Sequence, residues 1–469
     1  MVYVGRVTYG LARQRPAEIE GWPERRAPAE RYAALMGKGG AVRWEAGLYL
    51  AGAAVAGAAA LSDRIPLQRE WGRIAFAPYA AGAVLALLLS LTWRRLRAPH
   101  RTRARLVLAV AVLAGAALLP MALEVWWRAR DGFQGHVQSE VLVIEGSAQA
   151  LVSGLDPYAA SFASGPLGTW PAGTAGHVPY LPGMFLFGLP RALAGPGPFT
   201  DARLAFALAS FAVAFAALWL AKPPPGRGLT AMLVVLALPT GARYMAGGGD
   251  DVTVLSLLLF SLVLMRRREP GAAGIAAGLA AVIKQTAWPL LPFLVIAARD
   301  RAGRPAARKT LAALSVVIVP VVLPFLVWNP TAFVEDVILF PLGLARQPTL
   351  AASPSPGSLV AEALPVPKVV VAGALLLIVL LAAAYLAFVR SPTDARGAAE
   401  RTALVLLLAI LLATAGRFGY LLYPIGLFAW ARLVLVPEPG GSISGTPQTW
   451  TLRWSASREG ARAAKGSGL

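Results

Sequence analysis

An all-α, polytopic membrane protein is the fold class that three properties of this 469-residue sequence predict. Hydrophobic residues make up 57% of it and charged residues only 14%, with a mean hydropathy of +0.60, which excludes an ordinary soluble domain. Apolar runs of about 20 residues recur along its length, each sufficient to cross about 30 Å of hydrocarbon as a helix. The basic residues that give the net charge of +20 cluster between those runs. That is the pattern of cytoplasmic loops rather than of a nucleic-acid surface, so no nucleic-acid partner is expected.

Taken in order, residues 1–43 are polar and lack a cleavable signal segment, and they read as a basic cytoplasmic tail. Three spans are expected within 44–127, at about 44–62, 75–93 and 106–127. Residues 128–202 form the one long polar stretch, read as an outer loop carrying an interfacial helix and a juxtamembrane or re-entrant helix near 180–194. A helical core is expected over 203–436, with spans near 203–221, 229–246, 251–265, 310–328, 369–389, 402–416 and 419–436. Residues 437–469 form a second basic tail. The total is about 10–12 transmembrane helices.

Orientation follows from charge. The loops 94–105, 222–227, 266–268, 299–309 and 390–401 hold 19 basic residues, and the positive-inside rule places them, with both tails, in the cytoplasm. The composition, rich in Ala, Gly and Arg, suggests a bacterial plasma membrane. The apolar stretch 271–298 lies between two basic loops and contains Lys284 and Pro289. It should leave and return on one side as two short helices broken near Lys284. Such a break is tolerated only where protein or a wet cavity satisfies the backbone.

The outer loop carries the candidate chemistry. Ser139 reads as an N-cap, and Val141, Ile144, Ala148, Leu151 and Val152 follow at helical spacing. Gly154 reads as the stop, with a turn at Asp156-Pro157. The expected product is an amphipathic helix on the outer membrane surface. Glu140 falls in its first turn, where the helix dipole favours the ionised carboxylate and a base could take a proton from a sugar hydroxyl. Glu145, one turn on, reads as part of the solvated face, expendable beside Glu140.

The segment from Glu140 to Ala148, followed by Gly154-Leu155-Asp156-Pro157-Tyr158, resembles the first outer loop of glycosyltransferase family 87. These are polytopic mannosyltransferases of the GT-C superfamily that use polyprenyl-phosphate sugars. In that register Glu140 stands where the family has its catalytic Asp. The resemblance continues through Val178–Phe185, through Gly247-Gly248-Gly249-Asp250-Asp251, through the Ala-rich Gly274–Thr286 ending at Lys284, and through Arg417–Pro424. It implies a membrane glycosyltransferase that moves a sugar, mannose in the family, from a polyprenyl-phosphate donor to an extracytoplasmic glycan or glycolipid acceptor with inversion.

The remaining ionisable residues fit that expectation. Lys284, in an apolar run, must face the protein interior, either towards a donor phosphate or as a partner for Asp250 or Asp251. Arg417 and Arg243 should lie at outer span ends, where a guanidinium suits a phosphate leaving group. Asp156, Tyr158, Tyr180 and Tyr420 are further candidate substrate contacts. The tyrosines, like Trp170, equally suit an interfacial aromatic belt. No cofactor is expected, because the chain has no phosphate-binding Gly-rich loop or α/β domain. Asp250 and Asp251 could hold a divalent metal with Glu140, but adjacent residues of a helix do not point together and the resemblance implies a metal-independent family. No catalytic metal is therefore expected; there is also no cysteine, and His136 and His177, read as polar loop residues, lack zinc-ligand spacing. The rival readings are a lipid-linked sugar flippase or secondary transporter, which should show paired inverted repeats, and a surface-glycan polymerase or ligase.

Overall fold

In the computed structural model, the described residues are 40–436 apart from 64, 133, 161, 163–175, 348, 350 and 352. Their regular secondary structure is helical, with no strand among them. Trp170 and both tails beyond these limits lie outside the described residues.

Three long helices open the bundle: α1 (Gly40–Ser62), α2 (Pro66–Arg95) and α3 (Pro99–Asp131). Pro66 and Pro99 begin their helices at positions where a missing N–H costs nothing. The buried faces of α1 and α2 are lined by small residues, Gly52, Ala53, Ala56 and Ala59 against Gly72, Ala75 and Gly82. Small side chains let helix backbones approach closely where lipid supplies no hydrophobic drive. A π-helical turn, Ala114–Leu118, interrupts α3.

The polar loop folds inward. Its helix α4 (Ser139–Val152) buries Val141, Leu142, Val143, Ile144, Glu145, Ser147 and Ala148, so it is packed within protein rather than laid on the membrane surface. Ser139 is the first helical residue and Gln138 the cap position. The Ser139 hydroxyl instead donates to Glu140 Oε2 at 3.1 Å. Gly154, at φ +74°, takes the left-handed conformation that stops the helix. Glu145 is the reason the helix can sink. Its carboxylate meets Arg128 of α3 at 2.6 Å, Arg191 at 3.3 Å and the Ala202 N–H at 3.1 Å. Arg128 also binds Asp201 at 2.7 Å. Glu145 is therefore a buried ionic joint, not a solvated residue.

A 3₁₀ segment (Pro182–Phe187) and the short α5 (Leu189–Ala194) run along α4 and precede α6 (Ala202–Ala221). Asp201 caps α6 by accepting from the Arg203 N–H at 3.1 Å. Next come α7 (Pro225–Met232), continued by a π turn to Ala237, and α8 (Pro239–Gly247), bent by 48° from it at Leu238. Helix α9 (Asp250–Arg266) is buried along almost its whole length and packs against α6 and α10 (Pro270–Ala281).

The break expected near Lys284 is present. α10 ends at Ala281, Lys284 is extended, a 3₁₀ turn spans Gln285–Ala287, and α11 (Leu290–Trp328) returns against α10. Within α11, Ala302 and Gly303 leave helical geometry, so the basic stretch 299–309 kinks two helices rather than forming an open loop. The chain closes with α12 (Pro330–Val334), α13 (Pro356–Ala363), α14 (Lys368–Phe388), α15 (Ala395–Leu412) and α16 (Leu422–Leu433). Six helices among the described residues are long and apolar enough to cross a membrane, or seven if the bent α7–α8 pair is counted as one span. Exposed Leu, Val and Phe side chains on α2, α11 and α14 give the bundle its apolar exterior. The protein is a polytopic all-α membrane protein.

Candidate active site

The beginning of α4 is held by a backbone hydrogen bond from the Gln138 N–H to the Gly247 carbonyl at 3.1 Å. That bond sets Glu140 beside the α8–α9 junction. There Gly249, at φ +94°, makes a turn that an L side chain would strain, and α9 begins at once with Asp250 and Asp251. Both carboxylates thus sit at a helix N-terminus, where the dipole favours negative charge.

A second strand of connections brings in Tyr180 and Lys284. The Leu181 N–H donates to the Ile283 carbonyl at 3.2 Å and the Gly183 N–H to Val282 at 2.9 Å. The freed backbone at the end of α10 is therefore paired with the 178–183 segment. The Gln285 side-chain amide donates to the Pro179 and Val337 carbonyls at 3.2 and 3.1 Å. Lys284 Nζ then lies 2.7 Å from Asp250 Oδ2 and 2.7 Å from Asp251 Oδ1. The rings of Tyr180 and Tyr420 face the same ammonium at 5.5 and 5.2 Å from their centroids, within cation–π range.

The Tyr423 hydroxyl donates to Asp251 Oδ1 at 2.7 Å and accepts from Thr286 Oγ1 at 2.8 Å. Lys284 is thus in the interior with the aspartate partners considered from the sequence. Its ammonium occupies the point between the two carboxylates where a cation would have to sit.

Arg417, extended ahead of the 3₁₀ turn Phe418–Leu421, closes the site. Its guanidinium forms an ion pair with the Glu140 carboxylate. Burial disfavours a charge on Glu140. The Arg417 guanidinium, a backbone N–H and the more distant Lys284 outweigh that and hold the carboxyl below its ordinary range. Glu140 is accordingly an anion at neutral pH.

Glu140, Arg417, Lys284, Asp250, Asp251, Tyr180 and Tyr420 all line one cavity of about 20 Å³, together with Gln138, Tyr244 and Gly419. A second cavity of about 50 Å³ lies on the other side of Glu140 and Arg417, walled by His177, Phe340 and Thr349. Seven of the nine sequence-derived site residues therefore converge. Asp156 and Tyr158 do not line this cavity. Asp156 caps its own turn through the Tyr158 N–H at 3.0 Å and accepts from Asn329 at 3.0 Å. Tyr158 donates to the Tyr180 carbonyl at 2.8 Å and packs among Phe185, Phe325 and Phe333. These two hold the segment bearing Tyr180. Arg243 pairs with Asp63 at 2.7 Å, and His177 stacks on Phe340 at 4.4 Å.

Gln138, Tyr244 and Tyr423 join the site without being among the residues that the sequence predicts for it. Tyr423 lies within the quoted Arg417–Pro424 motif and could have been found there, whereas nothing in the sequence marks Gln138.

Residues 179–414, half of the chain, match the family model of glycosyltransferase family 87. The chain belongs to glycosyltransferase family 87. It is a membrane glycosyltransferase. No curated protein and no solved structure matches it. The matched region contains Tyr180, Asp250, Asp251 and Lys284, while Glu140 and Arg417 lie on either side of it and join the same cavity only through the fold.

Proposed function

We propose that this glycosyltransferase is of the GT-C type. It transfers a hexose, mannose by analogy with its family, from a polyprenyl phosphate to a hydroxyl of an extracytoplasmic glycan or glycolipid, with inversion. The observation that carries the reading is an ionised, protein-enclosed carboxylate, Glu140, held by a guanidinium, Arg417, beside a buried ammonium, Lys284.

Glu140 removes the acceptor hydroxyl proton, and the oxygen attacks the anomeric carbon. The bond from that carbon to the phosphate oxygen breaks, and the polyprenyl phosphate departs with the electron pair. A phosphate is a better match for Arg417 than a single carboxylate, because the guanidinium fork can take two of its oxygens. Arrival of the donor would draw Arg417 off Glu140, open the cavity of about 20 Å³, and leave the base free for the acceptor. Lys284 stays with its aspartates and supplies positive potential next to the departing phosphate.

A route for the donor is consistent with this scheme. The cavity walled by Thr349 adjoins a larger groove of about 380 Å³ that includes Arg346, Thr349, Lys368 and Thr414. Thr414 and Ala415 also border an apolar groove lined by Leu375, Leu376, Val379 and Leu412, chemically suited to an isoprenoid tail. The distribution of basic residues supports a bacterial plasma-membrane location with this site extracytoplasmic and both termini inside.

The test is reconstitution of the purified protein in vesicles with radiolabelled polyprenyl-phosphate mannose and a glycolipid acceptor. Label transferred to the acceptor supports the reading. Passage of the lipid-linked sugar across the bilayer without transfer would make the protein a flippase, and turnover restricted to long preassembled glycans would make it a ligase.

A further inference from the structure

A second polar cluster lies where α2 begins, α3 ends and the loop turns towards α4. Glu70 comes from the second turn of α2, Glu124 from the last turns of α3, and His136 from the 3₁₀ turn Gln134–His136. His136 Nδ1 is 3.1 Å from Glu70 Oε2 and 3.2 Å from Glu124 Oε2, and one ligand atom from each residue lies within 4.8 Å of the others. Glu70 is distant in sequence from the other two, and none of the three lines the candidate transferase cavity.

We propose that Glu70, Glu124 and His136 form a binding site for one first-row divalent cation, of which Zn²⁺ is the representative. Two carboxylates and an imidazole are a donor set that such ions favour. With metal–ligand bonds of about 2.1 Å, ligand atoms in tetrahedral or octahedral coordination lie about 3.0–3.4 Å apart, and both separations fall in that window.

The surroundings of the imidazole point the same way. The opposite ring nitrogen, His136 Nε2, faces Asp131 Oδ2 at 3.6 Å. That is how a carboxylate orients a metal-bound imidazole from outside the ligand set. Three carboxyl groups surround one imidazole, a set rich in oxygen donors for a hard or borderline cation. The neighbouring Arg203 is engaged with Asp201 at 2.8 and 2.9 Å and with the His136 carbonyl at 2.8 Å.

The Glu124 side chain is fully buried, and its Oε1 has no hydrogen-bond partner. A shared proton on the imidazole leaves that oxygen unsatisfied, whereas a cation can be chelated through both carboxylate oxygens. Glu70, 29% exposed, gives the ion access from water. The bound ion ties α2 and α3 to the segment that sets Gln138 and Glu140.

The full chain, purified without a histidine tag and stripped by chelation, is titrated with Co²⁺ and then Zn²⁺. The expected result is one Co²⁺ per chain, visible d–d absorption from inner-sphere coordination, and displacement by Zn²⁺. Glu70→Gln and His136→Ala should abolish the absorption. Asp131→Asn should weaken binding by about tenfold, as loss of an outer partner does. Glu140→Gln should bind as wild type does. The partly exposed Glu70 provides a variant that does not depend on folding around an altered Glu124. Absence of Co²⁺ absorption in the wild type would overturn the proposal and leave the cluster as a set of hydrogen-bonded side chains. Equal absorption in wild type and Glu70→Gln would overturn it as well.

Discussion

Arg417 and Glu140, 277 residues apart in sequence, form an ion pair at the wall shared by two small cavities. The pairing keeps a buried carboxylate ionised and at the same time occupies the cation that a phosphate would seek. In the proposed mechanism it links donor binding to exposure of the base.

The pH dependence of transfer follows from the balance of forces on Glu140. Burial raises its pKa, and Arg417, the backbone N–H and Lys284 lower it further than burial raises it. In the donor-free protein the carboxylate therefore stays ionised down through the ordinary carboxylate range, and kcat/KM falls only as pH drops through the depressed value. Without Arg417 the burial effect dominates. Arg417→Gln should move the acid limb of kcat/KM, which reports the donor-free protein, to higher pH by about 1–3 units, the usual influence of an adjacent arginine on a carboxylate. Superimposable acid limbs would separate Arg417 from the base.

Lys284 should prove as important to folding as to catalysis. Lys284→Met leaves Asp250 and Asp251 buried and facing each other without their shared cation. Breaking a buried pair in this way costs about 3–5 kcal/mol. The yield of monodisperse protein and its Tm should both drop. Adding Asp250→Asn and Asp251→Asn to the same chain should recover most of the loss, because the uncompensated charge is then gone. Failure of that rescue would mean that Lys284 is held by something other than its aspartates.

Glu145 gives the contrasting case. Sequence reading made it an expendable surface residue, yet its carboxylate joins α3, α5 and α6 to α4. Glu145→Gln should destabilise the protein by about 2–3 kcal/mol. That is less than for a fully orphaned partner, because Arg128 keeps Asp201. The transfer rate per folded molecule should stay within about threefold of wild type. A large rate loss in fully folded protein would give Glu145 a role in the reaction.

The contrast between these residues shows what the sequence could reveal. Hydropathy located α1 to α3 and α14 because lipid imposes length and apolarity on each span independently. Lys284 was legible as a break because an ammonium in an apolar run, five residues before Pro289, has few places to go. The depth of α4 was not legible. Whether Glu145 faces water or an arginine depends on Arg128 and Arg191, which approach it only after the helices pack. The same holds for Asp156 and Tyr158, whose motif suggested substrate contact and whose partners, Asn329 and the Tyr180 carbonyl, are fixed by tertiary structure. Conversely, Arg417, Glu140 and the Asp250–Lys284 pair were identified one by one from residue type and motif. Only the fold put them around one cavity.

The central claim is that Glu140 is the catalytic base, and the most direct measurement compares Glu140→Gln with wild type in single-turnover transfer from radiolabelled polyprenyl-phosphate mannose. Both proteins must be equally folded and saturated with donor. Glutamine keeps the size and polarity of the side chain and removes the proton acceptor. The predicted result is a rate lower by about 10²–10⁴-fold, with donor affinity retained because Arg417 remains available to the phosphate. Transfer by Glu140→Gln at the wild-type rate would contradict the claim.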